Sequence, residues 1–154
     1  MQYDTTLYDD VRRYAARLLS DFDAAKDVTQ EVFLRLEQQN SASIANPRAW
    51  AYRTARNLVI DRFRQSGRTT DLPDDLPANV TLFNPAALAE KKEQSQMLEE
   101  KMNELPPRHR EVLRLKFQEG LKYAEIADVI GEPVTTVAWL IHEAVAKLRT
   151  ALNA

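Results

Sequence analysis

Between residues 48 and 64 stand five arginines, Arg48, Arg53, Arg56, Arg62 and Arg64, against a single acid, Asp61. Guanidinium groups at that density form a cationic track suited to phosphate, through counterion release and charge-assisted hydrogen bonds. Trp50 and Tyr52 lie among them, and aromatic rings beside such a track offer the stacking surface that a single nucleic-acid strand uses. The same arginines would also solubilise an exposed helix face, and Trp50 is the kind of side chain that fills a core. A second constellation is GLKYAEIADVIG at 120–131, followed by Val137, Leu140, Ile141, Ala144 and Leu148. A helix, a small residue at the packing point (Ala127), a glycine at the turn (Gly131) and a second amphipathic helix make the helix-turn-helix layout, whose second helix enters the DNA major groove. An ordinary helical hairpin shares much of that pattern.

Other chemistries find little support. The chain has no cysteine, which removes disulfides, thiol catalysis and thiolate metal sites. His109 and His142 lack metal-ligand spacing with nearby acids, and His109 reads as a polar helix-start residue. No glycine-rich phosphate loop, nucleophile elbow or zinc motif is present. The expectation is a non-enzyme without cofactor or metal.

The elements that must position these groups are helices. Only three glycines occur in 154 residues, and Ala, Leu, Glu, Arg and Gln are abundant, a composition that favours helix over sheet. Leu7, Val11, Tyr14, Ala15, Leu18 and Leu19 recur at helical spacing,. Asp23 is the expected cap of a second helix with Val28, Val32, Phe33 and Leu36 as its apolar stripe,. Asn46 and Pro47 set an N-cap and first-turn proline for a long helix over 48–65, with Trp50, Thr54, Leu58 and Ile60 or Phe63 facing a core and several arginines facing outward,. Residues 66–85 hold Gly67, three prolines and three aspartates with little periodicity; twenty structureless residues inside one compact domain would be unusual. The reading is therefore an all-α chain of two small helical domains, 1–66 and 88–154, joined by an acidic, proline-containing linker at 67–87. Net charge is −2, but a local basic face, not the sum, sets the field a phosphate meets. The start shows no signal-peptide pattern and no apolar run is long enough to cross a bilayer, so the cytoplasm is expected.

Taken in order, three motifs carry a family resemblance. DVTQEVFLRL (27–36) followed by NPRAWAYRTARNLVIDRFR (46–64) resembles region 2 of an extracytoplasmic-function (ECF) sigma factor of the sigma-70 family; ELPPRHREVLRLKF (104–117) and the helix-turn-helix resemble region 4. The resemblance implies an alternative sigma factor that binds core RNA polymerase, at the β′ clamp and β flap, and directs recognition and opening of promoter DNA. It implies core contacts at Asp27, Gln30, Glu31 and Phe33, with Val28, Val32 and Leu36 in the core. It implies contacts to the melted minus-ten element at Ser43, Asn46, Arg48, Tyr52, Arg53, Arg56, Asn57, Asp61 and Arg64. The linker resembles the segment that threads the polymerase cleft, and a plain solvated tether would look the same. An anti-sigma factor is an expected partner; insertion in a membrane is not expected.

The second helix of the helix-turn-helix departs from the family pattern. From Pro133 through Ala146 there is no lysine or arginine, and phosphate and guanine contacts need such side chains. Readout of the minus-thirty-five element would then rest on Arg108, Arg110, Lys122, Thr135, Thr136, Trp139, His142 and Lys147. Ala144 and Val145 resemble the iron-starvation and siderophore group. Alternatively Trp139 and Leu140 form a protein contact, which leaves two rival functions: a sigma-like adaptor with weak or lost minus-thirty-five readout, or a stand-alone helix-turn-helix regulator.

Overall fold

In the computed structural model, residues 5–39, 43–67 and 92–153 are described, with the side chains of 92–95 left aside. The expected linker at 67–87 lies almost wholly outside them. All regular elements among the described residues are helical. No helix there is long and apolar enough to cross a membrane.

Helix α1 (Thr5–Leu19) buries Val11, Tyr14, Ala15 and Leu18, the i, i+3, i+4, i+7 stripe of an amphipathic helix,. It stops where Ser20 turns into the left-handed region at φ 55°. Asp21 then caps α2 (Phe22–Gln38), accepting hydrogen bonds from the amides of Asp23 and Ala24 at 3.0 and 3.2 Å. The cap is thus two residues earlier than the sequence suggested, because Asp21 has the extended backbone that a cap requires while Asp23 is already in the first turn,. Helix α3 (Pro47–Gln65) starts as expected: Asn46 accepts from the Ala49 amide at 3.1 Å and Pro47 occupies the first turn. The three helices pack on one another as a bundle.

The C-terminal unit holds α4 (Lys92–Glu104), α5 (Pro107–Leu113), a π-helical turn (Arg114–Gln118), α6 (Tyr123–Ile130) and α7 (Val134–Leu152). The helix-turn-helix is α6 and α7. Gly131 turns between them at φ 73°, and its amide and that of Glu132 both bond the Ala127 carbonyl, closing α6 with a left-handed residue that glycine adopts without steric cost. Ala127 is buried against α7's side of the turn, among Ile126, Val129, Val137, Leu140 and Ile141.

Helix α3 has no clean amphipathic stripe because both of its flanks are covered. Ala51, Ala55, Val59, Ile60 and Phe63 belong to one buried cluster that also contains Val112, Leu115, Leu121 and Ile126 of the C-terminal unit. The two units share a continuous core, and α3 lies between them, with α6 packed on it.

Candidate nucleic-acid interface and the contact that covers it

Helix α3 divides its polar side chains between two faces. Arg53, Asn57, Asp61 and Arg64 are exposed and fall three or four residues apart, which places them along one stripe,. Arg64 and Asp61 approach to only 4.0 Å and Arg62 reaches Asp27 at 3.9 Å; such exposed pairs are worth little and leave the cations available. Ser43 is exposed just ahead of Asn46.

The other face, carrying Arg48, Tyr52 and Arg56, is turned into the C-terminal unit. The Arg56 guanidinium is 3% exposed and donates from Nε and Nη2 to the two oxygens of Glu111, both at 2.9 Å. Glu111 is 6% exposed, so this is a buried, bidentate pair of the kind that matches a fork of donors to a flat acceptor. Arg17 of α1 donates to Glu119 Oε2 at 2.6 Å and the Tyr52 hydroxyl donates to Glu119 Oε1 at 3.1 Å. Arg48 donates from Nη2 to the Glu119 carbonyl at 2.9 Å, and its Nη1 lies 3.8 Å from Glu125 Oε1. Asn46 completes the row, its amide donating to Glu125 Oε2 at 3.2 Å. The tyrosine ring itself is buried against Tyr14, with centroids 4.9 Å apart. Several arginines of this helix face outward as expected, namely Arg53, Arg62 and Arg64, whereas Arg48 and Arg56 turn to the second unit and the buried Tyr52 ring offers no stacking face, which corrects that expectation. In this arrangement Arg56 is enclosed, Arg48 is half-covered, and both guanidinium groups and the Tyr52 hydroxyl are held by acids and carbonyls of the second unit.

The acids are presented by local structure. The π turn widens the end of α5, with the Glu119 amide bonding the Arg114 carbonyl at 3.0 Å, and such turns commonly mark positions under a special constraint. Here it delivers both the Glu119 carboxylate and its carbonyl to α1 and α3. Glu125 lies in the first turn of α6 and accepts from the Lys122 amide at 2.9 Å, half of a capping box,. Burial pushes the Glu119 carboxyl above its ordinary range, against the pull of Arg17 and of the Tyr52 hydrogen bond. Burial also pushes at Glu125, but the Lys122 amide, Asn46, Arg48 and the Lys122 charge outweigh it and hold that carboxyl below the usual range. Burial, then the charge of Glu119, raises the Tyr52 hydroxyl far above its ordinary value.

The remaining expected site residues are scattered. On α2, Asp27 and Gln30 are exposed and Glu31 is partly covered and pairs with Arg35 at 3.0 Å. Phe33 is buried and packs on Tyr8, with centroids 5.1 Å apart. It belongs to the bundle core, whereas Leu34, which the sequence reading passed over, is 53% exposed beside Gln30 and Glu31. In the C-terminal unit Arg110 is buried and donates to the carbonyls of Asn103 and Leu105 at 3.3 and 3.2 Å. It closes the end of α4, and its burial corrects the expectation of a duplex contact there. Arg108 pairs with Glu132. Lys122, Thr135, His142 and Lys147 are exposed and Thr136 partly so. Trp139 is 58% exposed while Leu140 is buried, so the apolar contact surface envisaged for both reduces to Trp139. His109 lies in the first turn of α5, as expected of a helix-start residue, with its ring largely covered, edge-on to Trp139 at 6.1 Å and 3.4 Å from Glu143. Ala144 is fully buried and Val145 packs on the core, which gives their apolar character a packing cause.

The Sigma-70 region 2 family model matches residues 5–69 and the Sigma-70, region 4 model matches residues 95–148. The chain is 33% identical to the ECF RNA polymerase sigma factor SigL of Mycobacterium tuberculosis, over 92% of this chain and 81% of that protein. It is 28% identical to SigW of Bacillus subtilis, another ECF RNA polymerase sigma factor, over 94% and 84%. Among solved structures, the sigma factor RpoE in complex with the anti-sigma factor NepR from Bartonella quintana superposes with a TM-score of 0.66 at 22% identity, covering 97% of this chain and 94% of that one, a likeness of fold.

Proposed function

The chain belongs to the ECF sigma factors of the sigma-70 family, and from that premise we propose how its two regions divide the work. It binds core RNA polymerase and directs promoter recognition and opening. Region 2, within residues 1–66, docks on the β′ clamp through the exposed part of α2, with Asp27, Gln30 and Glu31 as its polar contacts and Leu34 as an apolar one. The exposed stripe Arg53, Asn57, Asp61 and Arg64 carries the displaced strand of the minus-ten element, and Ser43 and Asn46 line its approach. Region 4, within 88–154, faces the β flap and the upstream duplex, and residues 67–87 bridge the two through the polymerase cleft. Catalysis belongs to the polymerase, and the site of action is the cytoplasm. An anti-sigma protein is the expected inhibitor.

The observation that supports this reading most directly is the unbroken polar stripe on α3, adjacent to a loop that leads to it and opposite the bundle core. Charge reversal at Arg53 and Arg64 tests it. Strand separation at a cognate promoter, followed by permanganate reactivity of unpaired thymines, should fall at least tenfold while association with core polymerase is retained. Equal loss of both would contradict the assignment. Placement in the iron-starvation group rests on Ala144 and Val145 alone, and transcript sequencing after brief overexpression would test it.

A further inference from the structure

A cavity lies between α1 and the stretch formed by α5 and its π turn, and the spacing of its lining shows how it arises. Tyr14, Arg17 and Leu18 are three and four residues apart and share one face of α1, while Pro107, Glu111, Leu115 and, beside them, Arg114 recur at the same intervals on the facing element,. The space that a water centre can occupy there is about 30 Å³, room for two or three waters at roughly 10–15 Å³ each. Its walls are unevenly satisfied. Both lining carboxylates are engaged: the Glu111 oxygens accept from Arg56, and the Glu119 oxygens accept from Arg17 and Tyr52. Among the lining residues it is donors that are left over. The Tyr14 hydroxyl, Arg17 Nε, and Arg114 Nε and Nη1 are buried and have no hydrogen-bond partner. Tyr14 is 4% exposed, and burial, then the charge of Glu111, holds its hydroxyl well above the usual range, so at neutral pH it is an O–H donor.

Buried donors without partners cost free energy, and a group of them around one small cavity calls for an acceptor. The guanidinium groups of Arg17, Arg110 and Arg114 outnumber the two carboxylates in the lining, so an acceptor with a negative charge is favoured over a neutral one. Leu18, Leu115 and Pro107 add apolar surface, and apolar walls with a few convergent polar groups are the usual make-up of a small-molecule site. We propose that this cavity binds a small carboxylate of acetate to propionate size. Its oxygens take the Tyr14 hydroxyl and the unpartnered N–H groups of Arg17 and Arg114, the charge-assisted pairing that a guanidinium makes with a carboxylate. Its alkyl end rests on Leu18, Leu115 and Pro107. The site is independent of the promoter and polymerase assignments. Because α1 belongs to region 2 and α5 to region 4, an occupant touches both and stabilises the folded chain by mass action.

The test uses the full chain with sodium propionate and sodium acetate as probes, ionic strength being held constant with sodium chloride. A ligand of so few atoms should bind with a Kd of roughly 0.01–1 mM. Tm should rise saturably, by about 3–6 °C at roughly ten times the Kd. The methyl protons of propionate should receive magnetisation from the saturated protein in a transfer-difference NMR experiment, and acetate should suppress that signal. Tyr14→Phe removes a hydroxyl that has no partner, so Tm without ligand should stay within about 2 °C of the parent, while the Kd rises roughly tenfold. Should Tyr14→Phe lower Tm by more than that, Arg114→Lys decides: it keeps a cation for Glu99, loses the Nε and Nη1 donors, and should weaken propionate by a similar factor. A rise in Tm that chloride or inorganic phosphate reproduces at equal ionic strength would be general screening and would overturn the site. Absence of saturation transfer would leave water as the occupant and overturn it too, as would a Kd unchanged in both variants.

Discussion

Replacing Arg56 by methionine should uncouple the unfolding of the two regions. Arg56 and Glu111 sit with almost no exposed surface and share two bonds of 2.9 Å. Removing one member of such a pair leaves a buried, uncompensated charge and costs about 3–5 kcal/mol. That penalty has an escape, because regions 2 and 4 can separate and rehydrate Glu111, so the measured loss is capped at the free energy of docking. The single tryptophans of each region, Trp50 in region 2 and Trp139 in region 4, allow the two to be followed separately through Trp50→Phe and Trp139→Phe backgrounds. In the parent chain, urea transitions reported by the two tryptophans should coincide, the mark of one cooperative unit. Arg56→Met should split them, with region 4 and region 2 melting at distinct midpoints. The double variant Arg56→Met with Glu111→Leu should restore coincidence, since an apolar pair of similar volume in place of a buried ion pair is often neutral or stabilising. Transitions that stay coincident in Arg56→Met, with a loss below about 1 kcal/mol, would refute the claim that this pair joins the regions.

Other consequences can be checked directly. Arg53→Ala with Arg64→Ala should reduce the salt slope of holoenzyme binding to a forked promoter fragment by about 1.4, from roughly 0.7 per single-strand phosphate contact; a fall in affinity with an unchanged slope would argue against phosphate contacts. Neutral Tyr52 and Tyr14 are favoured in the fold, their hydroxyls being raised above the usual value of 10.0, first by burial and then by Glu119 and Glu111 respectively; the stability they contribute is fully present below pH 10.0 and is lost as pH rises beyond it. Urea midpoints should therefore decline from about pH 10 upward, and Tyr52→Phe should flatten part of that decline. Asp21→Ala removes the cap of α2 and should cost about 1 kcal/mol in stability without altering core association. Trp139→Ala should leave stability within about 0.5 kcal/mol, as expected for a side chain of this exposure, and weaken either upstream DNA or a protein partner; band shift with an upstream duplex tells which.

What was legible in the sequence follows from local physics. The α1 stripe, the Asn46–Pro47 start of α3, Gly131 at the turn and Ala127 at the packing point each depend on residues within a few positions of one another. The sequence was opaque wherever a partner lies far along the chain. Arg56 and Glu111 are 55 residues apart and Tyr52 and Glu119 are 67 apart, so nothing near Arg56 announces that it will be buried. The irregular polarity of α3 was the available signal. A helix with apolar residues on several sides and arginines interspersed is a helix covered from two directions, and it read as a half-exposed one. Phe33 and Leu34 illustrate the same point at the scale of one residue: an adjacent pair of large apolar side chains must point roughly 100° apart, and only the register of α2 against the bundle decides which of them stays outside.

The near-neutral total charge acquires a physical meaning in this arrangement. A chain that binds polyanionic DNA while carrying a net charge of −2 looks contradictory only if charge is summed without regard to place. Here positive groups collect on α3 and oxygen acceptors collect at the α5–α6 end of region 4, and the two meet. Exposed faces of that kind attract free nucleic acid indiscriminately when nothing opposes them. Arg48 and Arg56 are paired internally with acids and carbonyls of region 4, while Arg53 and Arg64 stay outside. The acids of region 4 thus neutralise cations inside the fold, and the sum of −2 says nothing about the sign of the exposed stripe on α3,.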